Sequence, residues 1–117
     1  MSGMTSYLAG EAAERQVACH YAGLGLTIMA RRWRGKGGEI DLVAHDGRST
    51  IFIEVKRARN HALAVSRLSQ RQIARLYDAA AEYLGTLPEG LDSAARFDVA
   101  LVDGNGRIDI IENALCA

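Results

Sequence analysis

Asp41, Glu54 and Lys56 occupy two neighbouring apolar runs, Gly38-Glu39-Ile40-Asp41-Leu42-Val43-Ala44 and Ile51-Phe52-Ile53-Glu54-Val55-Lys56. Carboxylates gathered on one face repel each other, and each raises the other's pKa unless a cation compensates. A divalent cation held between them lowers the pKa of a bound water and neutralises charge on a scissile phosphate. A nearby ammonium, such as that of Lys56, can orient the attacking water or stabilise phosphate charge. Oxygen donors without His or Cys suit Mg2+ or Mn2+ rather than zinc, and the backbone carbonyl of Val55 is a further candidate ligand. Glu14 adds a carboxylate from a helix face otherwise made of Val17, Ala18, Tyr21 and Leu24, where an unpaired charge is costly. The expected metal ligands are therefore Asp41, Glu54 and Val55. The expected catalytic set is Asp41, Glu54, Lys56 and Glu14. Each signal alone is commonplace: Glu-x-Lys is usually a solvated strand face, and Glu14 could instead pair with Arg34 or Lys56. The joint pattern is what points to a metal site.

Convergence of these groups depends on a hairpin. Asp46-Gly47 reads as a two-residue turn. It would set His45 opposite Arg48, Asp41 opposite Phe52 and Glu39 opposite Glu54. Directly opposed residues share a face, so Asp41 and Glu54 become diagonal neighbours about 7–8 Å apart at the backbone. Alternation puts Ile40, Leu42 and Ala44 on one face and Glu39, Asp41 and Val43 on the other. In the next strand, Ile51, Ile53 and Val55 oppose Phe52, Glu54 and Lys56.

The elements around this hairpin follow from periodicity. A helix is predicted from about Gly10 to Leu24, ended by Gly23 and Gly25. A strand over Leu26–Trp33 leads into a flexible basic loop, Arg34-Gly35-Lys36-Gly37-Gly38. The hairpin strands run over Glu39–His45 and Ser49–Lys56. Ser69-x-x-Gln72 resembles a capping box for a second helix with the stripe Ile73, Leu76, Tyr77, Ala80 and Leu84, closed by Gly85. Strands over Phe97–Val102 and Ile108–Ile111 flank an Asp103–Gly106 turn. The order α-β-β-β-α-β-β implies an α/β fold with one central mixed sheet flanked by helices. A single domain over residues 1–117 is expected, with 1–9 as a flexible N-terminal segment.

Fourteen basic and fourteen acidic residues cancel, so nucleic-acid contact requires a local patch. The candidates are Arg34 and Lys36 in the glycine-rich loop, Arg57 beside the lysine, and Arg67, Arg71 and Arg75, which are spaced by four. Cys19 and Cys116 have no zinc-ligand spacing. With no signal-like start and no apolar run near the ~20 residues a membrane span needs, the expected compartment is the cytoplasm and no membrane partner is expected.

The Gly-Glu-Ile-Asp and Glu-Val-Lys blocks, with Glu14, Trp33-Arg34, Arg96-Phe97-Asp98 and Asn113-Ala114, resemble the uncharacterised bacterial UPF0102 (YraN-like) family. The resemblance runs from about Gly10 to Ala114. That family is assigned to the restriction-endonuclease-like, or PD-(D/E)XK, fold and is similar to archaeal Holliday-junction resolvases. The resemblance implies a divalent-metal-dependent nuclease hydrolysing DNA phosphodiester bonds, with branched or recombination intermediates as substrates. It makes Asp41 the first metal acid, Glu54 the second, Lys56 the catalytic lysine and Glu14 the accessory helix acid. The superfamily's proline before the aspartate is Ile40 here, its frequent arginine two residues after the lysine is Ala58, and its frequent helix lysine is Gln72. The rival reading is a non-catalytic nucleic-acid-binding or protein-interaction module that keeps the fold. RNA cleavage by the same chemistry is a third. A homodimer presenting two sites on one face would match two-fold symmetric substrates.

Overall fold

The computed structural model describes residues 3–58 and 68–114, with side chains described from Ala9 onward. The elements are α1 (Gly3–Gly23), β1 (Thr27–Arg34), β2 (Glu39–His45), β3 (Thr50–Arg57), α2 (Gln70–Leu84), a 3-10 turn (Gly90–Asp92), β4 (Ala95–Val102) and β5 (Ile108–Ile111). The five strands form one mixed sheet in the order β1-β2-β3-β4-β5, with β3 and β4 parallel and the other pairs antiparallel. The α/β layout and element order are those expected from periodicity. The sequence-predicted positions Arg67 and Cys116 lie outside the described residues.

The sheet buries both faces, one under each helix. On one face, Ala13, Val17, Ala18 and Tyr21 of α1 pack against Leu42, Ala44, Ile51, Ile53 and Ala100. On the other, Ala79, Ala80, Tyr83 and Leu84 of α2 pack against Ile40, Val43 and Phe52. Each such large aliphatic or aromatic side chain contributes about 1.5–3 kcal/mol by leaving water. Aromatic rings add directional packing: Tyr83 meets Trp33 and Phe52 edge-on at centroid separations of 5.5 and 5.7 Å.

Several boundaries and faces differ from expectation. The first helix begins at Gly3, not near Gly10. Leu24 follows the helix and is exposed, and Ala13 completes the buried stripe instead. In α2 the Ser69 hydroxyl accepts the Gln72 N–H at 3.1 Å, so the predicted cap forms. Its buried aromatic is Tyr83; Tyr77 is 42% exposed, its ring tilted against Phe97 at a centroid separation of 4.8 Å.

The β2–β3 register is also shifted. His45 pairs with Thr50 and Leu42 with Ile53. The turn is therefore Asp46-Gly47-Arg48-Ser49, not a two-residue loop. The Asp46 carboxylate accepts the N–H groups of both Arg48 and Ser49 at 2.8 and 2.7 Å, an Asx-type closure that widens the turn. Gly47 supplies the positive φ of 99°. A shift of two residues preserves which side chains share a face, because the strand period is two. One expected face still fails: Ile40 packs with Val43 against α2, not with Leu42 and Ala44. The ladder to β3 begins only at Leu42, and Arg32 on the neighbouring strand holds a left-handed φ of 49°. The backbone loses its regular alternation there, so Ile40 turns toward α2.

Candidate active site

The carboxylates lie where β2 and β3 stop pairing. Continuing the register one residue past Leu42–Ile53 sets Asp41 opposite Glu54, closer than the diagonal arrangement expected. With the ladder interrupted, the Val55 N–H has no strand partner on this side. It donates to Asp41 Oδ2 at 2.8 Å instead, which fixes the carboxylate beside Glu54. Lys56 projects to the same face and its Nζ lies 3.7 Å from Glu54 Oε1, with only 21% and 12% of the two side chains exposed. Asp41, Glu54, Gln72, Arg75 and Leu76 line a cleft of about 290 Å3 between the sheet and α2.

Electrostatics here are adverse for the bare protein. Burial raises the Asp41 carboxyl above its ordinary value, and the charge on Glu14 adds to the rise against the Val55 N–H, which lowers it. Glu54 is pushed up to about 8, first by burial and then by the Asp41 charge, with Lys56 opposing. Each carboxyl acts on the other's protonation, so the two titrate as a pair. Buried like charges are tolerated at neutral pH by keeping a proton or by gaining a cation. Both acids offer hard oxygen donors, which fits Mg2+ or Mn2+. Among the described residues, no group of three or more His, Cys, Asp or Glu side chains is arranged to hold a metal. Any such ion would draw on the carboxylate pair, backbone oxygen and water.

Glu14 is held differently. It accepts from Arg32 Nε at 2.8 Å, so neither of the expected partners, Arg34 or Lys56, holds it. Its charge still reaches Asp41. Arg34 pairs with Glu39 at 3.2 Å on the surface. Lys36 and Arg71 are exposed, and Arg75 reaches the rim of the cleft. Arg57 is not part of this arrangement. Alternation turns it to the face opposite Lys56, where it lines a separate cleft with Gln16 and Asp103. A larger cleft of about 650 Å3 lies at the other end of the sheet, between the β2–β3 turn and the segment around Pro88. Its Asp46 is already committed to closing the turn, so the larger volume carries less chemistry than the carboxylate cleft.

Two structural features escaped the sequence reading. The loop Arg34–Gly38 is pinned, not flexible: Glu82 Oε2 and Oε1 accept the N–H groups of Lys36 and Gly37 at 3.0 and 2.9 Å. A Cβ on Gly37 would stand 2.8 Å from Asp78 Cβ, and one on Gly38 would stand 3.0 Å from the Arg75 carbonyl oxygen. The glycines thus serve close approach to α2. The signal was their density opposite a helix carrying Asp78 and Glu82. The second feature is Asp98, which is 1% exposed. It accepts from the Tyr21 hydroxyl at 2.8 Å, from Arg96 at 3.1 and 3.2 Å, and from the Asn113 N–H at 3.0 Å. This hub ties α1, β4 and the chain after β5 together.

Sequence comparison matches residues 13–102 to the model of the uncharacterised protein family UPF0102. The chain belongs to the UPF0102 family. A UPF0102 protein of Cereibacter sphaeroides is 56% identical over 117 residues, covering all of both chains. One from Ruegeria pomeroyi is 51% identical over 96% of this chain and 91% of its own length. Another, from Roseobacter denitrificans, is 41% identical over 97% of this chain and 88% of its own. The UPF0102 match spans Glu14, Asp41, Glu54, Lys56 and Asp98. Among the described residues no helix is long and apolar enough to cross a membrane.

Proposed function

We propose that this chain is a divalent-metal-dependent phosphodiesterase that hydrolyses nucleic-acid strands, DNA first among them. The observation that carries this reading is the part-buried Asp41–Glu54 pair, set at the opening of the β2–β3 ladder with Lys56 alongside. Asp41 and Glu54 would hold Mg2+ or Mn2+, with the Val55 carbonyl as a further oxygen donor. Such an ion, when bound, supplies a more acidic water and neutralises phosphate charge. The Val55 N–H fixes the Asp41 carboxylate, so its free oxygen is oriented before any ligand arrives. Lys56, paired with Glu54, would present an ammonium to the anionic charge on the phosphate oxygens in the transition state. Glu14, bound to Arg32, acts through its field on Asp41. Branched or recombination DNA remains the substrate class suggested by the family resemblance.

One observation favours the rival, a nucleic-acid-binding module that does not cleave: no third acidic, His or Cys side chain joins the pair among the described residues. Incubation of linear, branched and single-stranded DNA with Mg2+ or Mn2+ separates the two readings. The nuclease reading expects cleavage that is abolished by EDTA and by Asp41→Ala or Glu54→Ala. Intact substrates under every condition, with DNA bound, would establish the module instead.

A further inference from the structure

The carboxylate cleft does not end at Arg75. A second cleft of about 330 Å3 is lined by Arg34, Lys36, Glu39, Arg75 and the glycines of the loop. The two share Gly38, Glu39 and Arg75, so they adjoin beside α2, one at the carboxylates and the other at the loop. Its distal part carries three cations, Arg34, Lys36 and Arg75, against one lining carboxylate, Glu39. Arg34 and Glu39 make an exposed ion pair, which holds a side chain only weakly. Lys36 and Arg75 are exposed.

The position of these cations depends on Glu82. Its carboxylate straddles two successive backbone N–H groups of the loop, at 3.0 and 2.9 Å. Charge-assisted bonds of this kind are among the stronger ones available to a surface loop. The loop closes on itself through the Gly35 N–H, which donates to the Gly38 carbonyl at 2.9 Å. The close approaches of Gly37 to Asp78 and of Gly38 to the Arg75 carbonyl leave no room for a side chain between loop and helix.

We propose that Glu82, an acidic residue, is a positioning residue for anion binding: it docks the Arg34–Gly38 loop on α2 and so builds, with Arg75, a second phosphate subsite that holds the phosphodiester next to the one at Asp41 and Glu54. The subsite rests on the nucleic-acid reading above. It contacts phosphate through the side chains of Arg34, Lys36 and Arg75, since the Lys36 and Gly37 N–H groups are already bonded to Glu82. The expectation runs against simple charge counting. Removing an acid near a polyanion site should tighten binding, whereas loss of Glu82 releases the loop and should weaken it.

Binding of a labelled single-stranded oligonucleotide, and of its duplex, is measured by anisotropy across a salt series in Ca2+ buffer. Arg75→Ala and Lys36→Ala should each weaken binding several-fold and flatten the slope of log affinity against log salt by about 0.7–0.9, the loss of one phosphate contact. Glu82→Ala should weaken binding several-fold as well. Glu82→Gln, which keeps one acceptor oxygen for the loop, should recover part of the loss. Melting curves guard against misfolding, and the surface variants Arg75→Ala and Lys36→Ala should melt with the wild type. Tighter binding by Glu82→Ala, or wild-type slopes in both cation variants, overturns the subsite while leaving the phosphodiesterase reading intact. A wild type that binds no nucleic acid at low salt overturns both.

Discussion

Replacing Glu54 with glutamine should stabilise the metal-free protein at alkaline pH, although the residue stands at the centre of the proposed site. Glu54 is raised from its ordinary 4.5 to about 8 by burial and by the charge of Asp41. A carboxyl whose folded value lies above its unfolded value contributes stability that is complete below about 4.5 and is lost as pH rises through about 8. Forcing ionisation of such a group costs up to roughly 5 kcal/mol well above that pH. Lys56 loses its partner in the variant, and Asp41 keeps a polar neighbour. The expected net gain is therefore about half that ceiling, roughly 2–3 kcal/mol at pH 9. It should shrink toward zero near pH 4.5, where the wild-type Glu54 is protonated. Urea unfolding in EDTA at pH 5, 7 and 9, read by far-ultraviolet dichroism, measures the difference. Added Mg2+ or Mn2+ should reverse the order, because a ligand at 100 times its Kd stabilises the folded state that binds it by about 2.7 kcal/mol. Parallel pH profiles for the two proteins would refute the reasoning, as would a variant less stable at pH 9 in EDTA.

Other perturbations test separate parts of the structure. Lys56→Ala should keep calorimetric Mn2+ binding and lose about 100-fold or more in turnover, since an ammonium stabilises developing charge without ligating metal. Asp98→Ala should cost about 2–3 kcal/mol in urea unfolding, because it leaves the Tyr21 hydroxyl and the Asn113 N–H without their acceptor while Arg96 keeps Glu112; Tyr21→Phe should cost only about 1–2 kcal/mol. Gly37→Ala should destabilise by about 1–3 kcal/mol through its clash with Asp78 Cβ, detectable as a lowered melting temperature. Ser69→Ala removes the α2 cap and should cost about 1 kcal/mol in the same measurement.

What the residues disclosed, and what they hid, divides along a physical line. Strand boundaries at Glu39–His45 and Ile108–Ile111 were legible because alternation and flanking glycines are local signals. The register of the hairpin was not, since it is set by where the Asp46 carboxylate bonds, and a side chain that caps two N–H groups lengthens the turn without changing its composition. Asp41 and Glu54 still converged because the slip was an even number of residues. An odd slip would have put Glu54 and Lys56 under α1, and the hydrophobic faces of β3 forbid it. The turn of Ile40 toward α2, the Glu14–Arg32 pair and the Glu82 anchor are contacts between elements far apart in sequence, which no local period encodes. They also share a location. Each lies near Arg32, with its left-handed φ, or the loop that follows β1, beside the stretch of β2 that the β3 ladder leaves unpaired, where the Val55 N–H meets Asp41. The irregularity and the site therefore have one cause. Interrupting the β2–β3 ladder frees a backbone donor to orient Asp41 beside Glu54. A fully regular sheet would have bonded that donor to β2 and left the acids as an ordinary cross-strand pair.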